Sequence, residues 1–441
     1  MNSFQKHITP AFILKFTIPT MFMMLFNSFY TMVDGAFVSN FVSTEALSAI
    51  NIVFPILSLV LSIGIMLACG GSAIVAKQLG ENKVKQAKEN FSLILLFGSI
   101  IGIILMTIGI FFTKQIVIFL GANDVIYAFC YDYAFCLSLF IPFYILQLLF
   151  QFFFTTAGRP QLGLLSTLLG GLSNIILDYL LIVVLNIGIK GAAIATGIGF
   201  IIPATIGILY FSGKRDRIIH FVKPVFNRRV ILKACSNGSS EMVSNLSVAI
   251  TTILFNIKMM NYLGEDGVAA MTIVFYAQFL FTSIFMGYTS GVAPLISFNY
   301  GAKNKENLTK LFKISLKYII ICSAVSFVFS NLFSNAVVGI FSSHNNNVFN
   351  IATEGMKLFS ISFLFMGFNI FISGMFTALS NGKISAILSF LRTFVFIVIS
   401  ISTLPLIFQL NGIWLSIPVA EILSILVSII YTMKFKKVYG Y

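Results

Sequence analysis

Long apolar stretches alternate with short polar ones along almost the whole chain, and this rhythm is its dominant pattern. A run of about 20 mostly apolar residues is long enough to cross a bilayer as a helix. Twelve such runs can be read, at roughly 12–38, 47–76, 91–112, 130–156, 163–186, 190–213, 230–260, 267–298, 311–336, 352–380, 384–408 and 412–434. They predict an all-α integral membrane protein of twelve transmembrane helices, joined by loops too short to hold a soluble domain. The first run is longer than a signal-peptide core and no small-residue cleavage site follows it, so it is read as a retained span.

The rhythm also repeats. Ala49–Phe54 (AINIVF) answers Ala270–Phe275 (AMTIVF), Leu79–Lys83 answers Tyr300–Asn304, and Gly191–Ala193 answers Gly412–Trp414. All three pairs are displaced by 221 residues (Ala49 to Ala270, Gly80 to Gly301, Gly191 to Gly412). Phe154–Ala157 answers Phe376–Leu379 one residue out of step. The expectation is two pseudo-symmetric six-helix lobes running in the same direction, related by an axis along the membrane normal, with a cavity between them. The lobes are residues 1–213 and 230–441, joined by the polar linker 214–229, KRDRIIHFVKPVFNRR.

Composition sharpens the class. The chain is 58% hydrophobic and 10% charged, with a mean hydropathy of +0.98, against about 25% charged in soluble domains. A net charge of +14 would suit nucleic acid, but its distribution argues for topology instead. With the N-terminus inside, all but five of the 28 Lys and Arg residues fall on the cytoplasmic side; the exceptions are Lys114, Lys190, Lys258, Lys357 and the intramembrane Arg392. The positive-inside rule places both termini in the cytoplasm, and the basic loops add some attraction to anionic lipid. Nucleic acid is not an expected partner.

Enzyme chemistry has no foothold. GxxxxGK[ST], HExxH and GxSxG are all absent. His7, His220 and His344 lie outside the spans, and Cys69, Cys130, Cys136, Cys235 and Cys322 sit in apolar runs without metal spacing. No enzyme and no resident cofactor are expected.

The acids inside the spans carry the chemistry. Asp178 lies within LSNIILDYL (Leu172–Leu180) in the fifth run, with Asn174 one helical turn before it on the same face. An ionised carboxylate at mid-membrane costs about 2.5–3.5 kcal/mol or more, so it is kept only where it faces protein or water and has partners. Asp34 of the first span, Asp178, Asn174 and Thr196 of the sixth fall within roughly 6–18 Å of the outer boundary at 1.5 Å per residue, and Tyr30 is one turn below Asp34. Such oxygens suit a small hard cation such as Na⁺, or a proton shared by two carboxylates; a static brace between helices has no need of a net negative charge. The repeat supplies a control. Displaced by 221, Asp34, Asn174, Asp178 and Thr196 become Phe255, Val395, Ile399 and Ile417. The frame is duplicated and the site is not.

In the second lobe, Glu241 could draw cations into the interlobe cavity, while Arg392 and Glu421 are expected to pair across spans eleven and twelve. Asn27, Phe26, Met23, Phe275, Tyr276, Met286 and Met375 are candidates to line a cavity for flat lipophilic cations through soft and cation–π contacts.

Pro19 and Asn27 ahead of Asp34–Gly35, the loop Gln78–Asn82, TTAGRPQLG at 155–163 and GAAIATGIG at 191–199 resemble the multidrug and toxin extrusion (MATE) family over essentially the whole chain, in detail most like MepA-type members close to the DinF-like branch. The resemblance implies a cation site on Asp34, Asn174, Asp178 and Thr196, with Tyr30 beside it. It also implies an antiporter that expels organic cations and antibiotics against inward Na⁺ or H⁺; few glycan sites, short loops and no organelle signal point to a bacterial inner membrane, and a monomer is expected. The NorM-like acids of spans seven and ten are not reproduced: Glu241 is offset toward the cytoplasm and Glu354 sits near a span end. A lipid-linked oligosaccharide flippase on the same fold is the alternative. It would need basic residues in the cavity for a diphosphate, and Arg392 is the sole candidate. A channel or receptor would need no acid pair confined to one lobe.

Overall fold

The computed structural model describes residues 8–213, 217–339 and 346–441. Lys6, His7, His344, the first three residues of the linker and most of the Ser342–Asn347 loop lie outside the described residues. Within them all regular structure is helical: α1 (Pro10–Phe41), α2 (Thr44–Gly80), α3 (Val84–Phe119), α4 (Tyr127–Ser138), α5 (Ile141–Thr156), α6 (Pro160–Asp178) continued by a π-helical turn (Tyr179–Val184), and α7 (Ile189–Ser212). After the linker come α8 (Arg228–Gly301), α9 (Lys305–Leu332), the short α10 (Ser334–Gly339), α11 (Asn346–Phe359), α12 (Phe363–Ala378), α13 (Gly382–Phe390), a second π-helical turn (Leu391–Val395) and α14 (Phe396–Tyr439).

Among the described residues nine helices are long and apolar enough to cross a membrane, and a tenth crossing is made by α4 and α5, bent by 55° at their junction. α8 and α14 each cross twice, breaking at Gly264 and Gln409, which brings the crossings to twelve. The fourth span is therefore broken where an uninterrupted helix was expected over 130–156. Pro142 in the first turn of α5 has no N–H to donate back to Ser138, so the ladder is cut there.

The internal repeat is written into the backbone. Positive φ recurs at repeat-related positions, Asn82 (59°) with Lys303 (55°) and Gly188 (70°) with Gln409 (50°). Each of the first two follows a helix end closed by the same bond, Lys83 N to Gln78 O at 2.9 Å and Asn304 N to Asn299 O at 3.0 Å.

Packing joins the lobes at one end only. The end bearing the termini, here the terminal face, contains a core cluster built from both lobes, including Leu67, Phe91, Leu149, Leu295, Phe298 and Ile384. Toward the far face the cores separate, one around Val53, Tyr133 and Ile189, the other around Phe255, Met271 and Trp414. The terminal seam is backbone against backbone. A Cβ on Gly80 would overlap the carbonyl oxygen of Phe298, and one on Gly301, its repeat mate, that of Lys77. Ten residues along, Gly70 lies on Ala234 and Gly238 of α8, while its mate Gly291 lies on Thr17 and Thr20 of α1. Ser28 and Ser283 add a hydrogen bond of 2.5 Å between α1 and α8. The result is a twelve-helix, two-lobed V, shut at the terminal face.

Candidate functional site

The first-lobe polar layer forms where α1, α6 and α7 converge. Their approach depends on small residues: a Cβ on Gly171 of α6 would overlap the ring of Phe26 and press on Tyr30, and Gly199 of α7 sits against Gly170 and the Cβ of Asn174. α1 can therefore lay Asn27, Tyr30 and Asp34 along the same face of α6 that carries Asn174 and Asp178. The π-helical turn begins immediately after Asp178; such turns shift the facing of residues within a helix and recur at functional sites.

The structure brings the sequence-predicted residues together. The Asp34 and Asp178 carboxyl groups lie close enough to interact strongly, and Tyr30 lies beside Asp34. Asn174 donates through Nδ2 to Thr196 Oγ1 at 3.4 Å. Asp178 and Asn174 are fully buried, at 0% and 1% exposure. Yet neither Asp178 oxygen receives a hydrogen bond from an N–H or hydroxyl donor, and neither does Oδ1 of Asp34 or Oδ1 of Asn174. Four buried oxygens of this layer, three of them from carboxyl groups, thus lack donors. Buried polar atoms are rarely left so, and two carboxylates this close in a low dielectric cannot both stay ionised without a cation or a shared proton. Just below lies a cavity of about 10 Å³, lined among others by Asn27, Tyr30, Gln147, Thr167, Asn174 and Thr196, room for about one water-sized guest.

Some members of this layer were not foreseen. Tyr133 of α4, buried at 2% exposure, faces Asp34, Asp178 and Tyr30. Gln147 lines the cavity, and Gln151 bonds Thr167 at 3.0 Å beneath it. All three come from the broken fourth span, where a glutamine every four residues (Gln147, Gln151) was the available signal. At the far end Asp132 pairs with Lys190 at 3.2 Å.

The second-lobe residues scatter. Arg392 Nε binds Glu421 Oε1 at 2.9 Å, Asn369 donates to Glu421 Oε2 at 2.7 Å, and Ser428 donates to Asn369 Oδ1 at 2.9 Å. Arg392 is thus held in the pair expected from sequence. Glu241 of α8 is half-buried, within electrostatic reach of Cys69 of α2 and of Arg392. Met23 is buried with its sulfur toward Gly163, and Phe26 rests on Gly171. Phe275 packs edge-on to Phe255 in the second-lobe core, and Met375 is buried in the shared core. Tyr276 is 45% exposed and Met286 half-buried. These side chains do not form one pocket in this arrangement. The repeat mates of the acidic layer behave as apolar residues, Phe255 and Ile417 buried and Ile399 exposed.

Comparison with known proteins agrees with this architecture. Multidrug export protein MepA of Staphylococcus saprophyticus is 26% identical over 414 residues, covering 93% of this chain and 89% of that protein. MepA of Staphylococcus aureus is 25% identical over 436 residues, covering 98% and 95%. Among solved structures, a MATE protein in the straight conformation superposes with a TM-score of 0.91 at 21% identity, covering 98% of this chain and 97% of that one. An outward-facing multidrug resistance MATE family transporter of the MOP superfamily superposes with a TM-score of 0.91 at 22% identity, covering 97% and 96%. The MatE family model matches twice, at residues 19–180 and 241–401, one copy in each half of the repeat. With both halves matched over most of its length, this chain belongs to the MatE family.

Proposed function

We propose that the protein is a secondary active multidrug exporter, an antiporter that expels lipophilic organic cations in exchange for inward Na⁺ or H⁺. The observation that carries this reading is the carboxyl pair Asp34–Asp178 of the first lobe, in which both oxygens of the fully buried Asp178 and Oδ1 of the half-buried Asp34 lack donors. A site short of positive charge takes up a cation or a proton, and one confined to a single lobe couples that uptake to rearrangement of α1 against α6. The relatives named for multidrug export support the cargo class. Asn174, Thr196 and Tyr30 supply the further oxygens, and Glu241 at the interlobe seam is the cargo-facing acid of the second lobe. In this reading the lobes divide at the linker 214–229, and the terminal face is cytoplasmic in a cell inner membrane, so the seam described above is the closed inner gate. Cargo and coupling ion then oppose each other through one coupling free energy.

The flippase reading is weaker, because the basic residue within the spans that it would use, Arg392, is already bound to Glu421. The deciding experiment is ethidium efflux from proteoliposomes with Na⁺ and pH gradients imposed separately. Efflux following the Na⁺ gradient at clamped pH makes the layer a metal-ion site, efflux following pH alone makes it a proton carrier, and no gradient-driven efflux refutes the antiporter.

A further inference from the structure

At the terminal face a second cavity, about 110 Å³, opens between the lobes, lined by Ile74, Lys77, Gln78 and Glu81 of α2 and its turn, Lys233 of α8, and Ser380 of the α12–α13 turn. Its walls carry uncompensated positive charge. Lys77 is repelled by Lys233 from across the seam and by Lys83 beside it. Among the described residues the one carboxylate lining it, Glu81, is shared between Lys83 at 2.7 Å and Lys77 at 3.9 Å. Lys233 makes no ion pair among the described residues. A buried hydroxyl oxygen also lines the cavity: Ser380 Oγ has no hydrogen-bond partner, and Ser380 is held at φ 60° in its turn. The Lys77 ammonium also lies over the Tyr300 ring, 4.8 Å from its centroid, an attraction that positions the head without cancelling its charge. Two ammonium groups from opposite lobes, an idle hydroxyl and a space of this size describe a receptor for a compact oxyanion.

We propose that this cavity binds a phosphate group, and that the bound anion ties α2 to α8 and so holds the terminal face shut. A tetrahedral phosphate has several oxygens with which to accept from both lysines and from Ser380 together, and it fills a cavity of about 110 Å³ better than a single chloride ion does. Basic pockets between membrane helices on one face also suit anionic lipid headgroups, so the phosphate comes either from a lipid or from a soluble ester or free ion. Opening the seam pulls Lys77 away from Lys233 and Ser380, so the anion binds the closed form and stabilises it by mass action. This site is independent of the acidic layer in the first lobe.

The test is the thermal unfolding midpoint of the full chain in detergent, with chloride at matched ionic strength as the reference. Inorganic phosphate and phosphatidylglycerol are added in separate arms. The expected result is a rise on the order of 2 °C at saturation in at least one arm. That rise should be lost in Lys77→Gln/Lys233→Gln and reduced in Ser380→Ala, and kept in Lys436→Gln/Lys437→Gln, which changes net charge equally. A rise with inorganic phosphate assigns a soluble ligand; a rise with phosphatidylglycerol alone assigns a lipid. No rise in either arm, or an equal rise in wild type and the Lys77/Lys233 variant, overturns the proposal.

Discussion

Replacing Asp178 by Asn removes one charge from the acidic layer and almost no volume. Two unit charges about 4 Å apart interact by roughly 4 kcal/mol at an effective dielectric of 20. Asp178 is fully buried beside Asp34, so its carboxylate contributes attraction of that order to any cation in the site. Losing about 3–4 kcal/mol weakens cation binding by more than two orders of magnitude. The sign of the stability change separates a coupling site from a brace. With no coupling cation present, the substitution relieves repulsion with Asp34 and gives that group an amide donor, so the unfolding midpoint should hold or rise. A hydrogen-bonded brace would instead lose about 1–3 kcal/mol. The assay pairs thermal unfolding, with and without Na⁺ across a pH series, with gradient-driven ethidium efflux. Asp178→Asn should abolish efflux and erase the cation-dependent stabilisation while the protein stays folded. A clear loss of stability together with undiminished efflux would refute the reasoning.

Further expectations follow from the seam, the turns and the second-lobe ion pair. Gly80→Val forces a side chain into the Phe298 carbonyl, an overpacking cost of about 1–3 kcal/mol borne only by the closed form; maleimide labelling of the half-buried Cys69 and Cys235 beside the seam should accelerate roughly tenfold, and unchanged labelling counts against the inner gate. Gln409 holds φ 50° and ψ −127°, a region natural to its repeat mate Gly188 (φ 70°, ψ −144°) and strained for a side chain, so Gln409→Gly should stabilise by about 1 kcal/mol, read as a raised unfolding midpoint. Arg392→Gln leaves Glu421, with its side chain 5% exposed, without its counter-charge and should cost about 3–5 kcal/mol, whereas replacing both residues by Met should cost far less; equal losses in a denaturation series would show that the pair does not act as a unit.

The sequence determined the membrane class, the number of crossings and the repeat by itself, because each is a one-dimensional property. Span length is set by bilayer thickness, and the repeat survives as a constant displacement that the backbone honours even in its left-handed residues. Asp34, Asn174, Asp178 and Thr196 were legible because an acid in an apolar run is costly wherever the helix packs, and because their repeat mates are apolar. Tyr133 and Gln147 were not legible. Tyrosine and glutamine are neutral and carry less penalty in a span than an ionised carboxylate, so the glutamine spacing was a weak signal, and only the break at Pro142 and the packing of α4 and α5 on the layer turn them toward it. The aromatic and Met residues show the converse. Apolar side chains look alike from sequence whether they face a cavity, lipid or core, and tertiary packing alone put Phe275 and Met375 into cores. Which face is shut, and the meeting of Lys77 with Lys233 across the seam, depended on two lobes docking through glycines more than 150 residues apart in the chain, a contact that no local pattern encodes.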